Sequence, residues 1–265
     1  MSREPADRPL GAVSVTPGDP WLPVEVFDRL GSTNDELRRD PRPYRVVVAD
    51  VQESGRGRLG RVWTTTPGTA LAVSALVPQP PSGASWVPLF AGLAVQRAVA
   101  EVAGVPTGLK WPNDVLVPGD DGRKLAGVLC EWLPVGVVVG VGVNVDTARA
   151  DLPLDTATSL RAAGHPGVHR TALLEAYLRH LAAVLREDTG PSGASVRAYR
   201  DACATVGQDV EVHEPAGAIR RGRATGVDEA GRLRVRTDGG TAQVSAGDVV
   251  HVRLQGTERG GADGG

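Results

Sequence analysis

The feature that most limits what this chain can fold into is the run Gln52-Glu53-Ser54-Gly55-Arg56-Gly57-Arg58-Leu59-Gly60-Arg61-Val62-Trp63. It follows Arg45-Val46-Val47-Val48-Ala49-Asp50-Val51, whose β-branched apolar residues predict a buried strand. Interleaved glycines and arginines do not make a packed element, so a loop is expected where that strand ends. Glycine lets backbone N–H groups approach an anion closely, and each arginine brings a permanently charged fork shaped for carboxylate or phosphate oxygens. Gln52 and Trp63 frame the loop with an amide and a flat apolar ring. Alone, the loop is open to three readings: a solvated basic surface, a nucleic-acid arm, or a small-anion site.

Charge narrows the choice. Lys+Arg number 29 against 31 Asp+Glu, a net charge of -2, which offers no general polycation to a nucleic-acid backbone. Positive charge is placed locally instead. Of the 29 basic residues only Lys110 and Lys124 are lysine, so the chain uses arginine wherever a cation suffices. A lysine kept under that bias marks a place where a compact ammonium is needed. Asparagine occurs only at Asn34, Asn113 and Asn144. Both lysines and all three asparagines fall in short segments marked by glycine or tryptophan, and these form the candidate site.

The 265 residues allow one sizeable core and a small appended domain. No apolar run reaches membrane-spanning length, and the N-terminus lacks the basic-then-apolar pattern of a secretion signal. Cys130 and Cys203 stand far apart without metal-ligand spacing, which suits a reducing compartment, so the cytoplasm is the expected location. No metal-ligand cluster is visible.

In chain order, residues 1–20 read as a flexible lead-in, too short for a DNA-binding module. A strand at 24–27 precedes Ser32-Thr33-Asn34-Asp35-Glu36, where Thr33 and Glu36 have capping-box spacing. This is a helix start, and its free N–H groups and hydroxyls could also bind a carbonyl or ring amide. A strand at 69–77 and a helix at 85–103 follow, the helix ended by Gly104 and Pro106. Pro112 in Lys110-Trp111-Pro112-Asn113-Asp114 requires a turn or bulge. In Arg123 to Trp132, plain alternation sets Lys124, Ala126 and Val128 on one face and Leu125, Gly127 and Leu129 on the other. A lysine in so apolar a strand is costly unless it meets an anion, which favours Lys124 as the catalytic lysine. Gly140 and Gly142, two apart in the strand Gly136 to Val145, would leave a bare face for a flat ligand. Helices are expected at 170–187 and 195–203. From Gly207, short alternating strands read as a small β-barrel with its boundary near Thr205, and 255–265 reads as a disordered tail.

With these segments in place the chain resembles the biotin protein ligases. The resemblance is carried by Ser32-Thr33-Asn34, by Gln52 with Gly55-Arg56-Gly57-Arg58-x-Gly60-Arg61, by Lys110-Trp111-Pro112-Asn113-Asp114, by Lys124-Leu125-Ala126-Gly127 and by Gly140-x-Gly142-x-Asn144. It implies an α+β fold: a mixed, mostly antiparallel sheet with helices over 21–204, of the class II synthetase-like kind, then an SH3-like β-barrel over 205–254. It also implies two half-reactions, in which biotin and Mg-ATP give biotinyl-5′-AMP, and a lysine of a biotin carboxyl carrier protein then takes the biotin. Ser32, Thr33, Asn34, Gln52, Gly55, Gly57, Trp63, Gly140 and Gly142 would bind biotin. Arg56, Arg58, Arg61, Lys110, Asn113 and Asn144 would meet ATP or the adenylate, with Arg56 and Arg58 also near biotin. Lys124 would serve both substrates and catalysis together with Arg56, and Asp114 would position or deprotonate the incoming amine. Mg2+ would come with the nucleotide, DNA and membrane are not expected partners, and a homodimer is left open. A lipoate- or octanoate-type ligase and an inactive binding module are the alternatives.

Overall fold

A computed structural model describes residues 10, 13, 19–63, 65–78, 84–187, 193–214 and 217–251. The tail at 255–265 and most of the lead-in at 1–20 lie outside these residues, although Leu10 packs into the main core. The elements run β1 (Glu25–Leu30), α1 (Thr33–Arg39), β2 (Val46–Gln52), β3 (Gly55–Arg56), β4 (Val62–Trp63), β5 (Ala70–Val77), α2 (Val87–Ala103), β6 (Gly108–Lys110), β7 (Asp114–Val117), β8 (Arg123–Leu133) and β9 (Gly136–Asn144). Then come α3 (Arg170–Arg186), α4 (Ala194–Ala202) and β10 (Asp209–His213), β11 (Ile219–Val227), β12 (Leu233–Thr237), β13 (Gly240–Val244) and β14 (Asp248–His251). The main sheet has the order β1-β2-β5-β9-β8-β7-β6, with only β1 and β2 parallel. This is the mixed, mostly antiparallel sheet that the resemblance implies.

Alternation along β9 shows how the sheet divides its two faces. Val137, Val139, Val141 and Val143 join the large core, where α2 and α3 cover the sheet. Each valine so buried contributes about 1.5–3 kcal/mol. Val138 points the other way, into a small cluster with Leu37 of α1, Val47 and Leu76. Gly140, Gly142 and Asn144 follow at two-residue steps on that second face, and all three border an open cleft.

The C-terminal strands form a five-stranded antiparallel sheet, β13-β12-β11-β10-β14, in which β13 and β14 are the edges. Two buried indoles fasten this unit to the main body: Trp111 Nε1 donates to Gly231 O at 2.9 Å and Trp86 Nε1 to Glu229 O at 2.8 Å. Trp111, followed by a cis peptide to Pro112, sits in the turn between β6 and β7. The turn that Pro112 requires is therefore where the C-terminal sheet docks.

Candidate active site

A cleft of about 1080 Å³ opens on the α1 side of the main sheet. Its floor is the second face of β9 and β8, one end is the N-terminus of α1, and the glycine/arginine loop and β14 form walls. Ser32, Thr33, Asn34, Gln52, Arg56, Gly57, Arg58, Arg61, Trp63, Lys110, Asn113, Asp114, Lys124, Gly140, Gly142 and Asn144 all border it. Gly55 does not. A Cβ there would lie 2.0 Å from Gln52 Nε2 and 2.3 Å from Trp63 O, so Gly55 lets the loop close on itself rather than meet a ligand.

The loop holds more structure than its composition predicts. Gly55–Arg56 and Val62–Trp63 pair as a two-residue antiparallel ribbon, with a 3-10 turn at Arg58–Gly60 between them. Trp63 is thereby turned onto β9. A Cβ on Gly142 would stand 2.4 Å from the Trp63 ring, and one on Gly140 would stand 2.2 Å from Asn34 Oδ1. The face expected to be bare is covered by the chain's own Trp63 and Asn34, and glycine is needed there to admit them. Trp63 Nε1 is buried with no hydrogen-bond acceptor among the described residues.

At the other end, the helix cap is Ser32, whose hydroxyl accepts from Asp35 N at 3.4 Å, and not Thr33 as the spacing suggested. Thr33 is freed for a different task. Its N–H and hydroxyl both donate to Gln52 Oε1, at 2.9 and 3.0 Å. Ser74 Oγ lies 2.7 Å from Thr33 Oγ1 and 2.6 Å from Asn34 Oδ1, and Asn34 Nδ2 donates to Glu131 Oε2 at 2.7 Å. Ser32, Thr33, Asn34, Gln52 and Ser74 are all buried, so this is a satisfied polar network built on fixed strands and a helix end. Ser74 was not foreseen, since it lies in an otherwise apolar strand.

Lys124 stands where alternation did not put it. Val115 pairs with Ala126 and Leu116 with Lys124, so β8 has one extra residue, Leu125, at a bulge. The bulge buries Leu125 beside Ala126 and Val128, and turns Lys124 onto the cleft face with Gly127 and Leu129. Its side chain is 33% exposed, so it faces the cleft and not apolar strand neighbours. Lys124 Nζ is 2.6 Å from Asp114 Oδ1. Gly127 leaves room for this ammonium, since a Cβ there would lie 3.0 Å from Nζ. The Lys124 backbone is held on both sides, donating to Thr156 O at 2.8 Å and accepting from Thr158 N at 2.7 Å.

Asn113 and Asn144 spend their amides on the scaffold, donating to Val128 O at 3.0 Å and Thr158 O at 2.9 Å. Arg58 reaches Asn113 Oδ1 at 3.4 Å. Burial lowers the Arg58 pKa, and the charges of Asp114 and Asp248 oppose that shift. Arg56 pairs with Asp35, and Arg61 pairs with Asp248 of β14. Lys110 lies across the β6–β7 ladder from Asp114.

The wall formed by β14 went unforeseen. Asp248 lies 187 positions from Arg61, and no local spacing connects them. His251 borders the cleft too, with Nε2 3.2 Å from Thr205 Oγ1, which accepts from Trp111 N at 3.0 Å. Burial first, then the charge of Lys110, pushes the His251 pKa down to about 4, leaving a neutral ring near pH 7. Among the described residues no group of three or more His, Cys, Asp or Glu could hold a metal ion, and no helix is long and apolar enough to cross a membrane.

Comparison with known proteins gives a consistent result. Residues 26–147 match the Biotin/lipoate A/B protein ligase family, and residues 205–252 match the Biotin protein ligase C terminal domain. The chain is 38% identical over 263 residues to a biotin--[acetyl-CoA-carboxylase] ligase of Mycobacterium tuberculosis, covering 95% of this chain and 97% of that one. It is 29% identical over 238 residues to the bifunctional ligase/repressor BirA of Bacillus subtilis, covering 85% of this chain and 72% of that protein. Its fold superposes with a TM-score of 0.73 on a biotin protein ligase from Aquifex aeolicus in complex with biotin and ATP. That match has 25% identity and covers 87% of this chain and 99% of the other.

Proposed function

The chain belongs to the biotin protein ligase family, and we propose that its cleft performs both halves of the ligation on one Lys124-centred site. In the first half a biotin carboxylate oxygen attacks the α-phosphorus of ATP. A C–O–P bond forms, the bond to the β-phosphate oxygen breaks, and pyrophosphate leaves. In the second half the amine of a lysine on a biotin carboxyl carrier protein attacks the carbonyl carbon. An amide forms, AMP leaves, and the amine gives up its proton.

The observation that carries this reading is the Lys124–Asp114 pair at 2.6 Å on the cleft floor, in the same cleft as the Thr33–Gln52 network and the arginine loop. Lys124 can exchange Asp114 for the biotin carboxylate and the α-phosphate, placing one ammonium at the oxygens where charge builds in both steps. Asp114, released, would position or deprotonate the incoming amine. The amide-rich end, with Ser32, Thr33, Asn34 and Gln52, offers the donors and acceptors that a ureido ring needs. Arg56, Arg58 and Arg61 would give up their internal partners for phosphate oxygens and close the loop over the adenylate, keeping water from it. Trp63, leaving Gly142, would put its ring against the ligand and its unpartnered Nε1 within reach of an acceptor. Lys110, Asn113 and Asn144 would meet adenine or ribose. Mg2+ in this reading is held by the phosphate oxygens and adds charge neutralisation there, since the described donors make no metal cluster of their own. A cytoplasmic location fits an enzyme that consumes ATP.

The test is mass spectrometry of a biotin-free carrier domain after incubation with the protein, Mg-ATP and biotin. One biotin added to one lysine, dependent on ATP and absent with lipoate or octanoate, is expected. Labelling by lipoate in place of biotin would transfer the reading to the lipoate ligases.

A further inference from the structure

Resting on the ligase reading, we propose that the open edge of β14, with exposed aliphatic groups at the cleft mouth, is where the carrier protein's lysine-bearing segment docks. The five consecutive residues Gly247 to His251 all border the cleft. Along them Val249 turns its side chain into the core and Val250 turns outward. Successive side chains in a strand point to opposite faces, so a strand that borders a space with every residue presents its edge to it. That edge is free. β14 pairs with β10 on one side only, from Val210↔His251 to His213↔Asp248, and ends the sheet order. In an antiparallel pair alternate residues direct their N–H and C=O groups away from the partner, and for β14 these groups have no backbone partner among the described residues.

The border of the cleft also carries exposed aliphatic side chains. Val62 is 73% exposed, Leu154 64% and Val250 48%; all three border the same cleft, and they come from three separate segments. Biotin and ATP need the polar floor and the arginines. An unpaired strand edge flanked by exposed aliphatic groups suits an extended polypeptide, which adds backbone hydrogen bonds and alternate side chains. The second substrate of this reaction is a polypeptide that must bring an amine to Lys124 and Asp114 through this mouth. The occupant is therefore the carrier segment on either side of its target lysine, laid along β14.

The experiment uses the full chain, Mg-ATP, biotin and a biotin-free carrier domain that the wild type biotinylates. Val250→Glu places a charge on the rim, and Val250→Thr keeps the β-branched shape. Val250→Glu is expected to raise KM for the carrier about tenfold or more. Biotin-dependent pyrophosphate release without carrier, and adenylate transfer to hydroxylamine, should stay within about twofold of wild type. Val250→Thr should retain the wild-type carrier KM. Leu154→Glu repeats the test should Val250→Glu fail to fold. An unchanged carrier KM in these Glu variants would overturn the proposal, as would an equal loss in adenylation, which would assign the rim to the nucleotide. A wild type that releases no pyrophosphate with biotin would remove the ligase reading instead, before any variant is compared.

Discussion

The floor of the cleft and the loop above it hold their functional groups by different means. On the floor, Lys124 and Asn144 stand on strands of the main sheet and Asn113 in the turn that leads into β7, and side-chain amides or flanking backbone bonds hold each in place. In the loop, Arg56 is tied by ion pairs to Asp35 and, at 4.0 Å, to Glu131, and Arg61 to Asp248, with side chains 45% and 63% exposed. A laddered strand moves only with its sheet. An exposed ion pair contributes about 0.2–1 kcal/mol, so a polyphosphate can exchange it readily. The lesson is a division of labour: the floor sets the geometry of the reacting atoms, and the loop supplies charge that changes partners.

The largest expected effect comes from the floor. Lys124→Ala should slow biotin-dependent pyrophosphate release by roughly 10²–10³-fold, the usual cost of one preorganised charge-stabilising group. Thermal denaturation should show the fold intact. A loss of less than tenfold would move the centre of the chemistry into the loop. The glycines separate the two regions next. Gly55→Ala meets the Trp63 carbonyl at 2.3 Å, which cannot yield without the ribbon opening, and should cost about 1–3 kcal/mol in urea unfolding. Gly142→Ala meets only the outer ring atoms of Trp63. It should leave stability within about 1 kcal/mol while red-shifting tryptophan emission, as the ring leaves the cleft for water.

Smaller effects belong to the β14 wall. Asp248→Asn frees Arg61, so KM for ATP should fall by less than about fivefold, and the difference should shrink as salt is raised. A rise in KM would mean that the carboxylate orders the loop and does not merely occupy its arginine. His251 has a folded-state pKa of about 4 against an ordinary 6.5. Between those values the unfolded chain binds a proton that the folded chain does not, so stability is complete above about 6.5 and falls as pH drops toward 4. His251→Asn should flatten that fall, read from urea midpoints at pH 7 and 4.5.

Sequence patterns reached the strands, the main helices and the part of the cleft lined by the glycine/arginine loop, α1, Lys110 to Asp114, Lys124 and β9, because β-branched runs, glycine spacing and the scarcity of lysine and asparagine are local signals. They failed where geometry depends on a partner. The Leu125 bulge shifts the alternation of β8 and exists only in its pairing with β7. Ser32 and Thr33 exchange roles because Gln52, nineteen positions on, claims Thr33. Gly55, Gly140 and Gly142 make room for side chains of this same chain, which spacing alone cannot distinguish from room for a ligand. The β14 wall requires a contact across 187 positions.

The claim at the centre of this account is that the cleft activates biotin before any carrier arrives. A rapid-quench measurement of pyrophosphate from Mg-ATP and biotin, with the full chain and no acceptor, tests it directly. A biotin-dependent burst of about one pyrophosphate per protein is expected, with biotinyl-5′-AMP retained in the cleft. Pyrophosphate that appears only after a carrier domain is added would contradict it.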